Sequence, residues 1–286
     1  MNMGVAKMSA SQLKSPKTSL PLCSANGIVE NHWKSRIEGD SCNNGKKKLR
    51  LKGRELQSVP REIFDLSELQ VLEMSPQWES CLNYKMGSVP REIGQLRALT
   101  VLNLDTNDLR EIPPDIGSLE NLEILTLSNN QLSFLPAEME KLQKLQSLHL
   151  ANNNFLELPV QVCQLCRLTF LDACDNKIKF IPHSICNLKY LETFLLYFNA
   201  LQSLPDSICK LTCLRTLWLG NNNLRNLPVK FGHLVNLDWG RSYSSSNFEG
   251  NPLESPPAKI CRGGPEEISR YFAMWQMRQN DQVNNL

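Results

Sequence analysis

The chain has 286 residues, 41 % of them hydrophobic and 21 % charged, with a formal net charge of +2, an ordinary balance for a soluble protein. No apolar run reaches the roughly 18 residues that a membrane-crossing helix needs. The first 48 residues hold eight Lys and Arg against three Asp and Glu, which leaves the remainder slightly acidic, so a nucleic-acid-binding surface is not expected there.

Residues 1–26 are rich in Ser, Lys and Pro and offer little to bury, and 1–45 reads as a largely disordered basic tail. It lacks the apolar stretch of a secretory signal, and neither it nor the closing VNNL fits a lipidation pattern. Within the tail, GIVENHWKSRIEG (27–39) places Ile28, Val29, Trp33 and Ile37 at near-helical spacing, which predicts a short capping helix. KKKLRLKGREL (46–56) then reads as a first repeat out of register, with Leu49, Leu51 and Leu56 in place and Arg54 where later copies carry asparagine. Its lysine run fits an edge strand guarded by charge, and a nuclear signal is the alternative. The second repeat has Gln77 in the asparagine slot and seven extra residues between Met74 and Val89.

From residue 99 to 236 the pattern is strict. Pro113, Pro136, Pro159, Pro182 and Pro205 recur every 23 residues, and so do Asn107, Asn130, Asn153, Asn176, Asn199 and Asn222. The unit is L-x-x-L-x-L-x-x-N-x-L-x-x-L-P-x-x-I-x-x-L-x-x, in six consecutive copies. L-x-L alternates as a half-buried strand does. The asparagine amide carries both donors and an acceptor and can satisfy the backbone of a turn. Proline ends strand pairing, and I-x-x-L puts two apolar residues on one face of a helical turn. One unit cannot close a core, so each must bury its apolar row against its neighbours.

These repeats resemble the leucine-rich-repeat proteins, and the L-P-x-x-I-x-x-L form is similar to the intracellular Ras-suppressor, Scribble and plant Ras-group members of that family. The resemblance covers about 46–262 and implies an α/β right-handed solenoid of about nine repeats. A parallel sheet would line its concave side, with short helices outside.

Ten cysteines raise the question of zinc or disulfides. Cys163, Cys186 and Cys209 share the repeat position that holds Gly94, Gly117 and Gly232, which reads as a small-residue packing column. Neither Cys163-x2-Cys166 nor Cys209-x3-Cys213 has a second converging pair, so no metal and no cofactor are expected. Cysteine end-caps, as secreted relatives carry, and N-x-[ST] sequons are both missing from the sequence, which points to a reducing cytoplasm. KIKF (177–180) looks like a phosphatase-docking motif, but Ile178 falls in a buried leucine slot of the repeat.

The pattern resumes with Phe248, Asn251 and Leu253 after a Ser-rich insertion, 238–247. Pro265, followed by acidic residues in its first turn, starts a helix within 263–286, with Ile268, Phe272 and Trp275 expected to face the last repeat as a terminal cap. The four histidines are scattered, and no nucleophile, phosphate loop or metal spacing appears, so an enzyme is not expected.

Residues that the framework does not require face the concave side. Phe170, Leu195, Tyr197, Phe198 and Trp218 are expected to form one aromatic patch, with His149, Asp172 and Asp105 on the polar half of the same face. Aromatic clusters of this kind are typical interface anchors. The expected role is a monomeric, non-catalytic scaffold or adaptor with protein partners; the resemblance implies small-GTPase, kinase or phosphatase complexes. A cortical structural role and a substrate-recruiting subunit are the alternatives.

Overall fold

Three-residue strands carry the architecture. The computed structural model describes residues 32–76, 83–239 and 246–284, all within one contact unit, His32–Leu286. The strands are β1 (Glu38–Asp40), β2 (Lys46–Arg50), β3 (Val71–Glu73), β4 (Val101–Asn103), β5 (Ile124–Thr126), β6 (Ser147–His149), β7 (Phe170–Asp172), β8 (Thr193–Leu195) and β9 (Thr216–Trp218). They form one nine-stranded sheet in sequence order. From β2 onward every pairing is parallel. The register steps by one repeat, so that Leu125, Leu148, Leu171, Phe194 and Leu217 align. These central residues are fully buried, while their strand neighbours lie half-exposed on the other face.

The central coils return through a five-residue 3-10 turn entered by an extended proline, as at Pro113, Pro136, Pro182 and Pro205, while the turns Gly53–Leu56 and Phe231–His233 are shorter and entered by lysine. The I-x-x-L spacing suits this tighter helix, which has three residues per turn. Ile185 N donates to Pro182 O at 3.1 Å and Leu188 N to Ile185 O at 3.1 Å. The small-residue column lies between these turns. A methyl added at Gly117 would come within 2.6 Å of Glu138 O on the next coil. Cys163 and Cys209 are buried in the same column, and burial raises both thiols above their ordinary range.

The asparagines join the coils. Asn153 Nδ2 donates to Leu150 O of its own turn (3.1 Å) and to Leu127 O of the preceding coil (2.9 Å), and its Oδ1 accepts from Leu132 N (2.9 Å). Asn107, Asn130, Asn176, Asn199, Asn222 and Asn251 make the same kind of bonds. No other uncharged side chain fits as well, because the buried turn needs a donor and an acceptor on one short stem.

The first coils differ from the sequence expectation. Residues 38–45, expected in the tail, belong to the fold: Glu38–Asp40 pairs antiparallel with Lys46–Arg50 across an Asn44–Gly45 turn with φ of 53° and 73°, a hairpin signal. The cap is a 3-10 turn, His32–Arg36, rather than a longer helix. It buries Trp33, with the Arg36 guanidinium 4.5 Å above the ring. Residues 27–31 of that segment lie outside the described residues, as do 1–26, Gln77 and most of the Ser-rich insertion.

The lysine run is therefore not on the sheet edge, which β1 occupies. Lys48 is buried between Glu73 (2.5 Å) and Asp40 (3.6 Å), and Arg50 Nε also reaches Glu73 at 2.5 Å. Lys46 pairs with Glu123, and Lys47 with Glu68.

The far end is covered by α1 (Ala258–Cys261) and α2 (Pro265–Asn284). Ile268 and Phe272 are buried, but Trp275 remains 43 % exposed. Trp275 therefore does not join the cap: α2 outruns the stack after one i,i+4 pair. Its packing on the last 3-10 turn is close, since a methyl at Gly232 would fall 1.9 Å from Ser269 Oγ.

Candidate functional site: the open face of the sheet

Alternation in the strands leaves two columns of side chains on the face opposite the core. One runs Asn103, Thr126, His149, Asp172, Leu195, Trp218 in strict register. The other, two residues later in each coil, runs Asp105, Ser128, Ala151, Cys174, Tyr197, Gly220. Six consecutive coils thus contribute no Lys or Arg to either column.

The aromatic residues are held in specific ways. Leu195 and Trp218 are direct register partners. Tyr197 lies over the next coil at Gly220, where an added methyl would meet its ring at 2.4 Å. Glycine there is what leaves room for the phenol ring. Tyr197 packs edge-on against Phe198, with centroids 4.4 Å apart and planes at 81°.

Phe198 is half exposed and adopts φ +53°. The equivalent residues in neighbouring coils, Thr106, Asn129, Asn152, Asp175 and Asn221, share this left-handed backbone. Asn and Asp tolerate that conformation; a bulky aromatic is unusual in it and carries strain.

Phe170 stands in the strand position preceding the core leucine, in register with Ser147 and Thr193. Its ring stacks on His149 at 4.8 Å, tilted by 30°. Leu195 and Trp218 belong to the column two positions further along the strand.

The polar half is a hydrogen-bonded network. Asn103 Oδ1 accepts from Thr126 Oγ1 (2.9 Å) and from Asp105 N (3.0 Å), and Asp105 Oδ1 accepts from Ser128 N (2.6 Å). Asp172 Oδ1 accepts from Cys174 N at 3.0 Å. Burial raises the Asp105 carboxyl above its ordinary range, and burial lowers His149 despite the nearby Asp105 and Asp172. His149 Nε2 lies 2.9 Å from Ser147 Oγ. Burial and the Asp172 charge together push the Cys174 thiol far up, which favours its neutral form. Among the described residues no cluster of metal-ligand type is found, and no helix is long and apolar enough to cross a membrane.

Sequence reasoning placed Tyr197 and Trp218 on this face but missed that Gly220 seats Tyr197 and that Phe198 sits in a left-handed position. Both were readable by aligning coils, through the glycine in one column and the Asn/Asp/Thr bias of the next. KIKF is settled by burial, since Ile178 is 0 % exposed.

A leucine-rich repeat region model matches residues 115–199, and a leucine-rich repeat model matches 98–119 and 213–234. No curated protein matches the chain. Among solved structures, a leucine-rich-repeat protein of Leptospira interrogans is 31 % identical over 71 % of this chain and 54 % of its own, with a TM-score of 0.60. The plant peptide hormone receptor RGFR1, solved in complex with RGF2, is 25 % identical over 68 % of this chain and 34 % of its own, with a TM-score of 0.53. The chain thus spans about half of the first protein and a third of the second. Stacked coils, an asparagine ladder and these matches together make the chain a leucine-rich-repeat protein.

Proposed function

We propose that the chain is a non-catalytic recognition scaffold that binds a protein partner on the open, concave face of its sheet, centred on Leu195, Tyr197, Phe198 and Trp218. The observation that carries this reading is Phe198. Its exposed ring occupies a left-handed position that the fold fills elsewhere with Asn, Asp or Thr, so folding gains nothing evident from it. Exposed aromatics next to half-buried Tyr and Trp match the anchors of protein interfaces. The receptor among the structural neighbours is itself described in complex with a partner, which supports binding as the general use of the fold.

The finer assignment is to intracellular signalling through small-GTPase, kinase or phosphatase complexes in the cytoplasm. It rests on the resemblance of the L-P-x-x-I-x-x-L repeat form to the Ras-suppressor and Scribble group. His149, Asp172 and Asp105 form the polar flank of the same surface, with Phe170 stacked on His149.

The test is affinity capture and proximity labelling with the wild-type chain and a Tyr197→Ala/Trp218→Ala variant shown by circular dichroism to be folded. The expected result is loss of the captured partners from the variant. Unchanged capture by a folded variant removes the open face from the reading.

A further inference from the structure

Carboxylates around the first coils and carboxylates on the open face differ in their partners. Around the first coils they are neutralised: Glu55, Glu68, Glu73 and Glu123 each pair with Arg or Lys. On the open face, Asp105, Asp172, Asp175 and Glu249 have no Lys or Arg partner among the described residues, and the His149 beside Asp105 and Asp172 is held toward its neutral form by burial. Asp175 and Glu249 are exposed, and Asp105 and Asp172 are half-buried. Asp172 and Asp175 come from the coil immediately before Leu195 and Tyr197, and Glu249 comes from the coil immediately after Trp218. The apolar centre is thus bracketed by negative charge, and the two central columns supply no Lys or Arg to offset it.

From this charge pattern we propose that the partner presents an extended, cationic polypeptide segment, in which a bulky apolar side chain seats against Leu195, Tyr197 and Trp218 and Lys or Arg side chains meet Asp172 and Asp105. The inference rests on the open-face reading above and adds the chemistry of the occupant. An anionic occupant, such as a nucleic acid or an acidic lipid surface, would face uncompensated repulsion here. A purely apolar one would leave the half-buried carboxylates with less water and no counter-charge.

The coil spacing sets the pattern of the segment. Asp172 and Trp218 are two strands apart, about 10 Å at the usual interstrand distance, and an extended chain covers that in about three residues. Asp105 lies three further strands away, about 14 Å or roughly four residues. The segment therefore carries an aromatic or leucine anchor, a basic residue about three positions away and a second one about four beyond it.

The probe is a displayed library of random 12-residue peptides selected on the full-length chain, followed by fluorescence-anisotropy titration of the enriched peptides. The expected result is peptides with Lys and Arg in excess of Asp and Glu and with one aromatic or leucine anchor. Their affinity should fall with added salt and drop about tenfold in Asp105→Asn/Asp172→Asn, a change that preserves the acceptor oxygens facing Ser128 and Cys174. Trp218→Ala should abolish it. Neutral or acidic peptides that still need Trp218 overturn the cationic occupant and leave the recognition surface standing. Peptides indifferent to Trp218 and Tyr197, or no enrichment, overturn both.

Discussion

Phe198 shares its left-handed backbone angle with the Thr, Asn and Asp residues at its position in other coils and differs from them in its side chain. In the left-handed region an L-residue with a Cβ costs roughly 1–2 kcal/mol, less for Asn. Phe198→Asn is therefore expected to raise the stability of the fold by about 1 kcal/mol in chemical denaturation while weakening partner capture. An unchanged or lowered stability would show that the ring supports the fold. The asparagine slot gives a graded case. Asn153 is buried, whereas Asn176 is partly exposed. Asn153→Ala strands Leu132 N, while Leu127 O keeps its bond from Asn130 Nδ2, and an unsatisfied buried group costs about 1–3 kcal/mol. Urea unfolding should show a loss of about 1–3 kcal/mol for Asn153→Ala and a smaller loss for Asn176→Ala, where water can replace the amide.

At the scale of the element, the strands, prolines and turns of 99–236 were legible because each coil repeats one solution to one packing problem. The hairpin at β1 and β2 was not. Its three-residue strand has no apolar period, and the signal lies in Asn44–Gly45 and in the buried ion pairs of Lys48, which only the fold brings together. These pairs predict an acid effect. Hydrogen bonding from Asn43 holds the Asp40 carboxyl below its ordinary range. Burial would raise Glu73, but the hydrogen bonds and charges of Arg50 and Lys48 outweigh it and hold it low. A depressed folded-state pKa stabilises above the unfolded-state value, about 4 for these groups, and that stabilisation is lost as pH falls through the folded-state value. Glu73→Gln should therefore melt below the wild type at pH 7, with the gap closing toward pH 3. At the other end, helix α2 was foreseen but its reach was not, because spacing alone does not tell where the stack stops. Phe272→Ala should cost about 3 kcal/mol or more and Trp275→Ala under about 1 kcal/mol, as read by thermal melting.

For the whole molecule, the fold was readable from periodicity and the binding face only in part. Repetition marks what the scaffold needs, and departures from it, such as Trp218, Tyr197 and Phe198, mark what it does not need. Repetition carries no record of which departures touch, so the contact of Phe170 with His149 was not legible. The ladder has one more implication. From Asn130 to Asn222 each amide reaches back to an N–H 21 residues earlier and a carbonyl 26 residues earlier, whereas Asn107 reaches its carbonyl across 33 residues and Asn251 spans 27 and 32, so the seats stay matched where a winding carries extra residues. Excising 23 residues such as 122–144 leaves every amide a matching seat, whereas excising five that include Asn130 removes one rung and leaves Leu109 N without its acceptor.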